Sequence, residues 1–296
     1  MSDPRLVPAN GRVANEALRG TVEADRYVTP TPMTVGHVTT PLRAQPHDIG
    51  APRQKELILG ETFDMLEDDG TWAFGQCARD GYVGYVVRAA LVEPTVTATH
   101  VIAARQSLLI DHPRIRNADE PLPLSFGTRV EVLESVDDFA SVLIPFTFDD
   151  RDAHKTTTGG YLPLAHLRPL DQHEPDPVAV AERFLGTPYH WGGDSGFGID
   201  CSGLVQAALI ACGIACPRDS DQQITLGEAA TGPTRRGDLI FWKGHVAMAL
   251  DEQVMIHASA HRMAVVQEGI EAAAARIAAQ GDGPIIARRR ITPPRG

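Results

Sequence analysis

Cys201 stands between Asp200 and Ser202 in the stretch GIDCSGLVQAAL, residues 198–209, with Gly203 and an apolar run behind it. Two histidines follow, His245 in GHVAMAL and His257 in VMIHAS. A thiolate that attacks a carbonyl needs a base to take and return a proton, and the base needs a third group to orient it. One cysteine and two histidines supply the types required. Each residue taken alone has an ordinary reading. Free cysteines are mostly small buried residues, and a lone histidine on a strand is usually satisfied or on the surface. Placement decides between the readings.

The elements around these residues place them well. Leu204, Val205, Ala208, Leu209 and Cys212 recur at helical spacing, with Gly213 as a stop. Cys201 then falls in the first turn, where unsatisfied N–H groups and the positive dipole end favour an anion. A helix start of this kind lowers a thiol pKa by one to several units from ~8.5. Cys212, in the last turn, has no such help and reads as core. Asp200 opposes this, since a carboxylate beside a thiolate raises its pKa; its side chain is expected to turn away, toward backbone or loop N–H groups. Farther on, LIFW and HVAMAL flank Lys243-Gly244, and HVAMAL and VMIHA flank Asp251-Glu252-Gln253, which reads as three strands. With Asp251 at the centre of the second turn, His245 lies opposite His257; a slip of two residues makes them diagonal neighbours. Either register leaves both rings on one face within ~5–8 Å, whereas a slip of one would separate them. His261 falls in a turn and is left out.

Composition bounds the rest. The 296 residues are too many for one small domain. A net charge of −11 disfavours nucleic acid and anionic membrane surfaces as partners. Arg288-Arg289-Arg290 reads as a terminal strand edge or solvated tail. No stretch reaches the ~18 apolar residues of a membrane span. The start, MSDPRLVPANGRVANEALRG, has no charged-then-apolar leader, so a cytoplasmic location is expected. Disulfides are then disfavoured for Cys77, Cys201, Cys212 and Cys216. Cys212 and Cys216 lack a second ligand pair at zinc spacing, so neither a metal nor another cofactor is expected.

The first half repeats itself. LGETFDMLEDDGTWAF (59–74) lies over FGTRVEVLESVDDFAS (126–141), aligning Gly60 with Gly127, Phe63 with Val130 and Met65 with Val132. The same offset pairs Leu42 with Leu109 and Pro46 with Pro113. GYVGYVVRAAL (81–91) then lies over GYLPLAHL (160–167) after an insertion containing TFDDRDAHKTTTGG. Short alternating stretches between Asp-Gly turns predict small antiparallel barrels, and the Gly-Tyr-Val ending resembles bacterial SH3-like domains. The expected organisation is an N-terminal extension over 1–32 with a short helix near ANEALRG, SH3-like domains over 33–94 and 95–170, and a separate domain over 171–296. PLDQHEPDPVAV (169–180) reads as the linker. Pro177 opens a helix through PVAVAERFLG, stopped by Gly186.

Tyr189-His190-Trp191-Gly192-Gly193, Asp200-Cys201-Ser202-Gly203-Leu204, Gly237-Asp238-Leu239, Gly244-His245-Val246 and Ile256-His257-Ala258 occur in that order. This set resembles the NlpC-type cell-wall cysteine peptidases over residues 178–290. The resemblance implies a multidomain chain: two small all-β SH3-like barrels, then an α+β papain-like domain in circularly permuted order. It implies Cys201 as nucleophile, His245 as base and acid, and His257 as orienter. Tyr189, with the Cys201 N–H, would form an oxyanion hole, and Ser202 joins the substrate-binding candidates. His190 sits at the variable position of its motif, and the Trp-Gly-Gly residues shape the loop. Arg236 and Ala247 depart from the family's common proline and glycine. The branch with tandem SH3-like domains cleaves the γ-D-glutamyl–diamino acid bond, to meso-diaminopimelate or lysine, in small cell-wall peptides with a free N-terminal L-alanine. In that branch Asp-Ser in the catalytic domain and an acid and a tyrosine of the first SH3-like domain close off the site and bind the free amine. Asp219 and Ser220, with Glu61 and Tyr82, stand at the matching places. The alternatives are an amidase or acyltransferase on the same scaffold, and a non-catalytic wall-binding protein.

Overall fold

Asp-Gly turns and alternating apolar residues put short strands through the first 170 residues, and a computed structural model arranges them in two large antiparallel sheets and two two-stranded sheets. Residues 3–46, 53–114, 116, 120–146 and 157–292 are described. The chain divides into two units, Met1–Leu170 and Asp171–Gly296.

In the first unit, a seven-stranded sheet runs in the order Arg53–Ile58, Thr39–Arg43, Val83–Val87, Trp72–Cys77, Thr62–Asp68, Thr31–Val35, Leu91–Val92. A five-stranded sheet runs Thr158–Pro163, Phe139–Ile144, Arg129–Val136, His100–Ile102, Leu167–Pro169. The aligned residues occupy like places in the two cores, although Leu109 lies on a separate two-stranded sheet of Gln106–Leu109 with Leu122–Ser125. Leu42, Phe63 and Ala73 are core in one, and Leu109, Val130 and Ala140 in the other. Bulges fall between Met65 and Glu67 and between Val132 and Glu134, at the same point of the alignment. Gly60 and Gly127 both have φ +85°, a turn geometry that glycine adopts without strain. Both copies end in a 3-10 turn, Arg88–Ala90 and Leu164–His166, that leads into a short strand. The insertion over TFDDRDAHKTTTGG lies for the most part outside the described residues.

The strand Thr31–Val35 straddles the expected domain start at 33. Near ANEALRG there is only a single 3-10 turn, Glu16–Leu18 capped by Asn15, rather than a helix. Arg19 turns to extended backbone (φ −57°, ψ 126°), and Gly20 follows at φ +82°. The segment packs by Val13 and Val28 against Leu66, Trp72 and Tyr85. Glu67 holds it further, accepting from Asn10, Arg12 and Arg26.

The second unit opens with the helix Pro177–Glu182, with Asp176 as N-cap and proline in the first turn. It stops short of the expected Gly186, because the bonds after Glu182 tighten to three-residue turns. The Cys201 helix (Cys201–Ala211) follows. A six-stranded antiparallel sheet is ordered Glu228–Ala229, Ala287–Arg290, Leu239–Trp242, His245–Ala249, Val254–Ser259, Ala264–Gly269. Ala247, Ala249 and Met255 pack with Ile270, Ala273 and Ile277 of the helix Ile270–Ala279. The arginine cluster is neither an edge nor a tail. Its strand is second from the edge, Arg290 pairs with Asp238 at 2.6 Å, and Arg288 donates to Thr234 and the Gly232 carbonyl. Among the described residues no helix is long and apolar enough to cross a membrane.

Candidate active site

The start of the Cys201 helix is built by a close approach that only glycine permits. A Cβ on Gly203 would lie 2.5 Å from the Gly193 carbonyl oxygen, so the Trp-Gly-Gly loop can lie directly on the first turn. Gly192 takes φ +68° there, and its N–H donates to Asp200 Oδ2 at 2.9 Å.

Asp200 is the N-cap. Its Oδ1 accepts from the Gly203 N–H at 2.7 Å and from the Ser202 hydroxyl at 3.1 Å. The carboxylate thus points into backbone donors, as the sequence suggested. It is also gripped by Arg218, whose guanidinium donates to both Asp200 oxygens, to Ser202 Oγ at 2.7 Å and to the Gly193 carbonyl. Arg218 pairs with Asp194 as well, at 2.9 Å, and is 1% exposed. The Ser202 hydroxyl is therefore engaged in this support.

Cys201 is 7% exposed. Burial pushes its thiol up to about 12, and the Asp200 charge adds to this. Hydrogen bonds from the backbone of Val246 and Ser202, and the Arg218 charge, pull the other way and do not prevail. This corrects the expected lowering by the helix start: desolvation of a sulfur in a sealed first turn outweighs the helix-end field. The hydrogen bond at Val246 also sets the sulfur against the residue that follows His245.

The two histidines are brought together by an even register. Met248 faces Ile256 and Ala249 faces Met255, which puts His257 opposite Ala247 and diagonal to His245, the two-residue slip. His245 Nε2 and His257 Nδ1 are 2.8 Å apart. Trp242, the hairpin partner of His245, is 2% exposed and lies with its ring centroid 5.7 Å from the imidazole. Burial, the His257 charge and Arg276 press His245 down to about 3, and burial lowers His257 too. Thiol and imidazole are both neutral at rest.

Tyr189 is held by backbone bonds. Its N–H donates to the Met263 carbonyl, and it bridges to Ile199, two residues before Cys201. Its phenol is raised by burial and then by the Cys201 and Asp200 charges, so it stays a hydrogen-bond donor. A cleft of about 200 Å³ is lined by Tyr189, Trp191, Lys243, His245, His257 and Asp282 among others. Cys201 is not among its lining residues. Asp219 and Ser220 follow Arg218; Asp219 forms a capping box with Gln222. In the first unit, Glu61 is 4% exposed and pairs with Arg79 at 2.6 Å. Its Oε2 is buried with no hydrogen-bond partner among the described residues. Tyr82 is 2% exposed, in the core of that unit. Among the described residues no group of three or more His, Cys, Asp or Glu side chains is arranged to hold a metal. A neutral thiol, an oriented imidazole and a protonated phenol together can carry out acyl transfer by proton relay.

Comparison with known proteins agrees with this chemistry. Residues 186–276 match the NlpC/P60 family, and residues 42–91 match the bacterial dipeptidyl-peptidase Sh3 domain. Dipeptidyl-peptidase 6 of Lysinibacillus sphaericus is 30% identical over 238 residues, covering 74% of this chain and 84% of that protein. The chain belongs to the NlpC/P60 family of cysteine peptidases. The gamma-D-glutamyl-L-lysine dipeptidyl-peptidase of Bacillus cereus is 29% identical, covering 69% of this chain and 66% of that protein. A crystal structure of an NlpC/P60 family protein from Bacillus cereus matches with TM-score 0.72 over 89% of this chain and 100% of that chain, at 20% identity, and so shares the fold.

Three features of this NlpC/P60 peptidase escaped sequence reading. Arg218 precedes Asp219 and Ser220 in PRDSDQQ (217–223) but carries no local signal of burial. Trp242 reads only as an apolar strand residue. Glu268, on the strand Ala264–Gly269, lies 3.2 Å from His257 Nε2 and is paired with Arg276 at 2.6 Å. The signal for Glu268 was available: a short turn at Ala260–Met263 followed by another alternating stretch, AVVQEG.

Proposed function

We propose that this peptidase hydrolyses the γ-D-glutamyl–diamino acid bond of small cell-wall peptides with a free N-terminal L-alanine, and that its first two domains are SH3-like barrels ahead of a papain-like domain in permuted order. The observation that carries the reading is the hydrogen-bonded His245–His257 pair, set beside the sealed thiol of Cys201.

In the proposed cycle Cys201 Sγ attacks the γ-carbonyl carbon of D-glutamate while His245 Nδ1 takes the thiol proton. The carbonyl oxygen becomes an oxyanion that the Tyr189 hydroxyl and the Cys201 N–H stabilise; one such donor is worth roughly 3–4 kcal/mol. The C–N bond then breaks as His245 returns the proton to the departing amine, leaving a thioester. Water, deprotonated by His245, attacks the thioester, and the thiol leaves with the proton restored. Lys243 and Asp282 line the cleft beside His245, and the departing diamino acid is assigned to that cleft as part of the proposal.

Recognition of the free amine is assigned to Asp219 and Ser220 of the second unit; Tyr82, packed in the hydrophobic core of the first, is not a binding residue. A buried ammonium needs carboxylate partners, and Asp219 is the candidate that supplies one. N-acetylating the substrate, or Asp219→Asn, should raise KM and remove most of kcat/KM; equal turnover of the blocked peptide contradicts this part of the proposal. A cytoplasmic role in recycling wall peptides belongs to the same proposal, and cell fractionation tests it.

A further inference from the structure

We propose that Glu268 is a positioning residue that fixes the tautomers of both histidines and so leaves Nδ1 of His245 bare. The proposal takes the roles of Cys201 and His245 from the reading above, while its main test does not depend on the substrate.

The three side chains form a diagonal stripe over three adjacent strands. His257 faces Val266 and Met255 faces Glu268 in the register of the last hairpin. Glu268 is thus two residues along from the position opposite His257, on the same face, just as His257 is two along from the position opposite His245. Diagonal neighbours at this separation are within reach of long side chains. Arg276, from the helix that covers this face, closes the stripe. It donates to Glu268 Oε2 at 2.6 Å and to Oε1 at 3.3 Å, and Arg262 approaches Oε1 at 4.0 Å.

The proton positions follow from what each atom can do. Glu268 lies beside Arg276, which holds its carboxyl below the ordinary value against the push of burial, so at neutral pH it is ionised and only accepts. His257 Nε2, 3.2 Å away, must then carry the hydrogen. A neutral imidazole has one N–H, and burial keeps His257 neutral, so its Nδ1 is a bare acceptor. The 2.8 Å contact from that Nδ1 to His245 Nε2 requires the hydrogen on His245 Nε2. His245 Nδ1 is left with its lone pair free, the form a base needs. Without the carboxylate, the two titratable or charged groups left acting on His257 among the described residues, His245 and the cation Arg276, do not select this arrangement. His257 could then donate from Nδ1, which would turn the hydrogen of His245 onto the nitrogen that must accept. A wrong tautomer in a comparable triad lowers kcat by about 10⁴; acting one residue farther out, Glu268 should account for roughly 10- to 100-fold.

The simple alternative is an ion pair that only ties the helix to the sheet. Full-length protein with ¹⁵N-labelled histidine separates the two by the imidazole nitrogen shifts. The expected wild-type pattern is protonated Nε2 and bare Nδ1 on both His245 and His257. In Glu268→Leu that pattern should be lost, with Cys201 alkylation slowed and, on a cleaved substrate, kcat lowered roughly 10- to 100-fold at little-changed KM. Glu268→Gln, whose amide oxygen accepts the same hydrogen, should recover most of the rate. Arg276→Met, which breaks the ion pair but keeps the acceptor, should preserve the tautomers. The proposal is overturned if His257 Nδ1 is protonated in the wild type. It is equally overturned if Glu268→Leu keeps the wild-type pattern, or if Arg276→Met disturbs the tautomers as much as Glu268→Leu does. The shifts and the alkylation rate need no peptide, so a wrong substrate assignment would leave this test intact.

Discussion

The thiol and the imidazole of this site rest as a neutral pair. Cys201 is pushed up to about 12 and His245 down to about 3, so the proton moves only when a carbonyl is in place to receive the sulfur. The direction of the shifts fixes a pH response. A thiol whose pKa lies far above 8.5 gains thiolate about tenfold per pH unit across the whole neutral range. Alkylation of Cys201 by iodoacetamide, followed by peptide mass mapping, should therefore rise steadily from pH 6 to 9 with no plateau. A plateau below pH 8 would mean that the helix start had lowered the pKa after all. His245 has the opposite shift: its neutral form is present at and above its ordinary value of 6.5 and persists down to about 3. Its protonation therefore sets no acid limb near pH 6.

At the scale of elements, the site depends on a knot between the Trp-Gly-Gly loop and the Cys201 helix. Arg218 ties Asp194, Asp200, Ser202 and the Gly193 carbonyl together. Removing one partner of a buried charge network leaves the others uncompensated, at a cost of about 3–5 kcal/mol. Arg218→Leu should lower stability by that amount in urea unfolding; a change under 1 kcal/mol would mean that the network is not what holds the loop. This knot also shows where sequence reading stops. The Cys201 helix was legible because apolar residues recur along one segment. The shared face of His245 and His257 was legible because any even register preserves it. Arg218 pairs with residues 18 and 24 positions away, and no local period records such a pairing. Glu268 was missed because the strand that carries it was not read past the turn. The thiol pKa was misjudged because the helix start is visible in sequence while the sealing of the sulfur is a tertiary result.

At the scale of the whole molecule, the chain is two units with their own cores. The first repeats one sheet pattern, down to the paired bulges and 3-10 turns, and contains the buried Glu61. The second holds the thiol and its relay. The central claim is that Cys201, served by His245, cleaves one defined bond. Its most direct test is mass spectrometry of L-Ala-γ-D-Glu-diamino acid tripeptides after incubation with wild-type and Cys201→Ala protein, with circular dichroism confirming that both are folded. The account predicts L-Ala-D-Glu and free diamino acid from the wild type, and intact tripeptide from the variant. Product from folded Cys201→Ala, or cleavage by the wild type at the L-Ala–D-Glu bond instead, would contradict it.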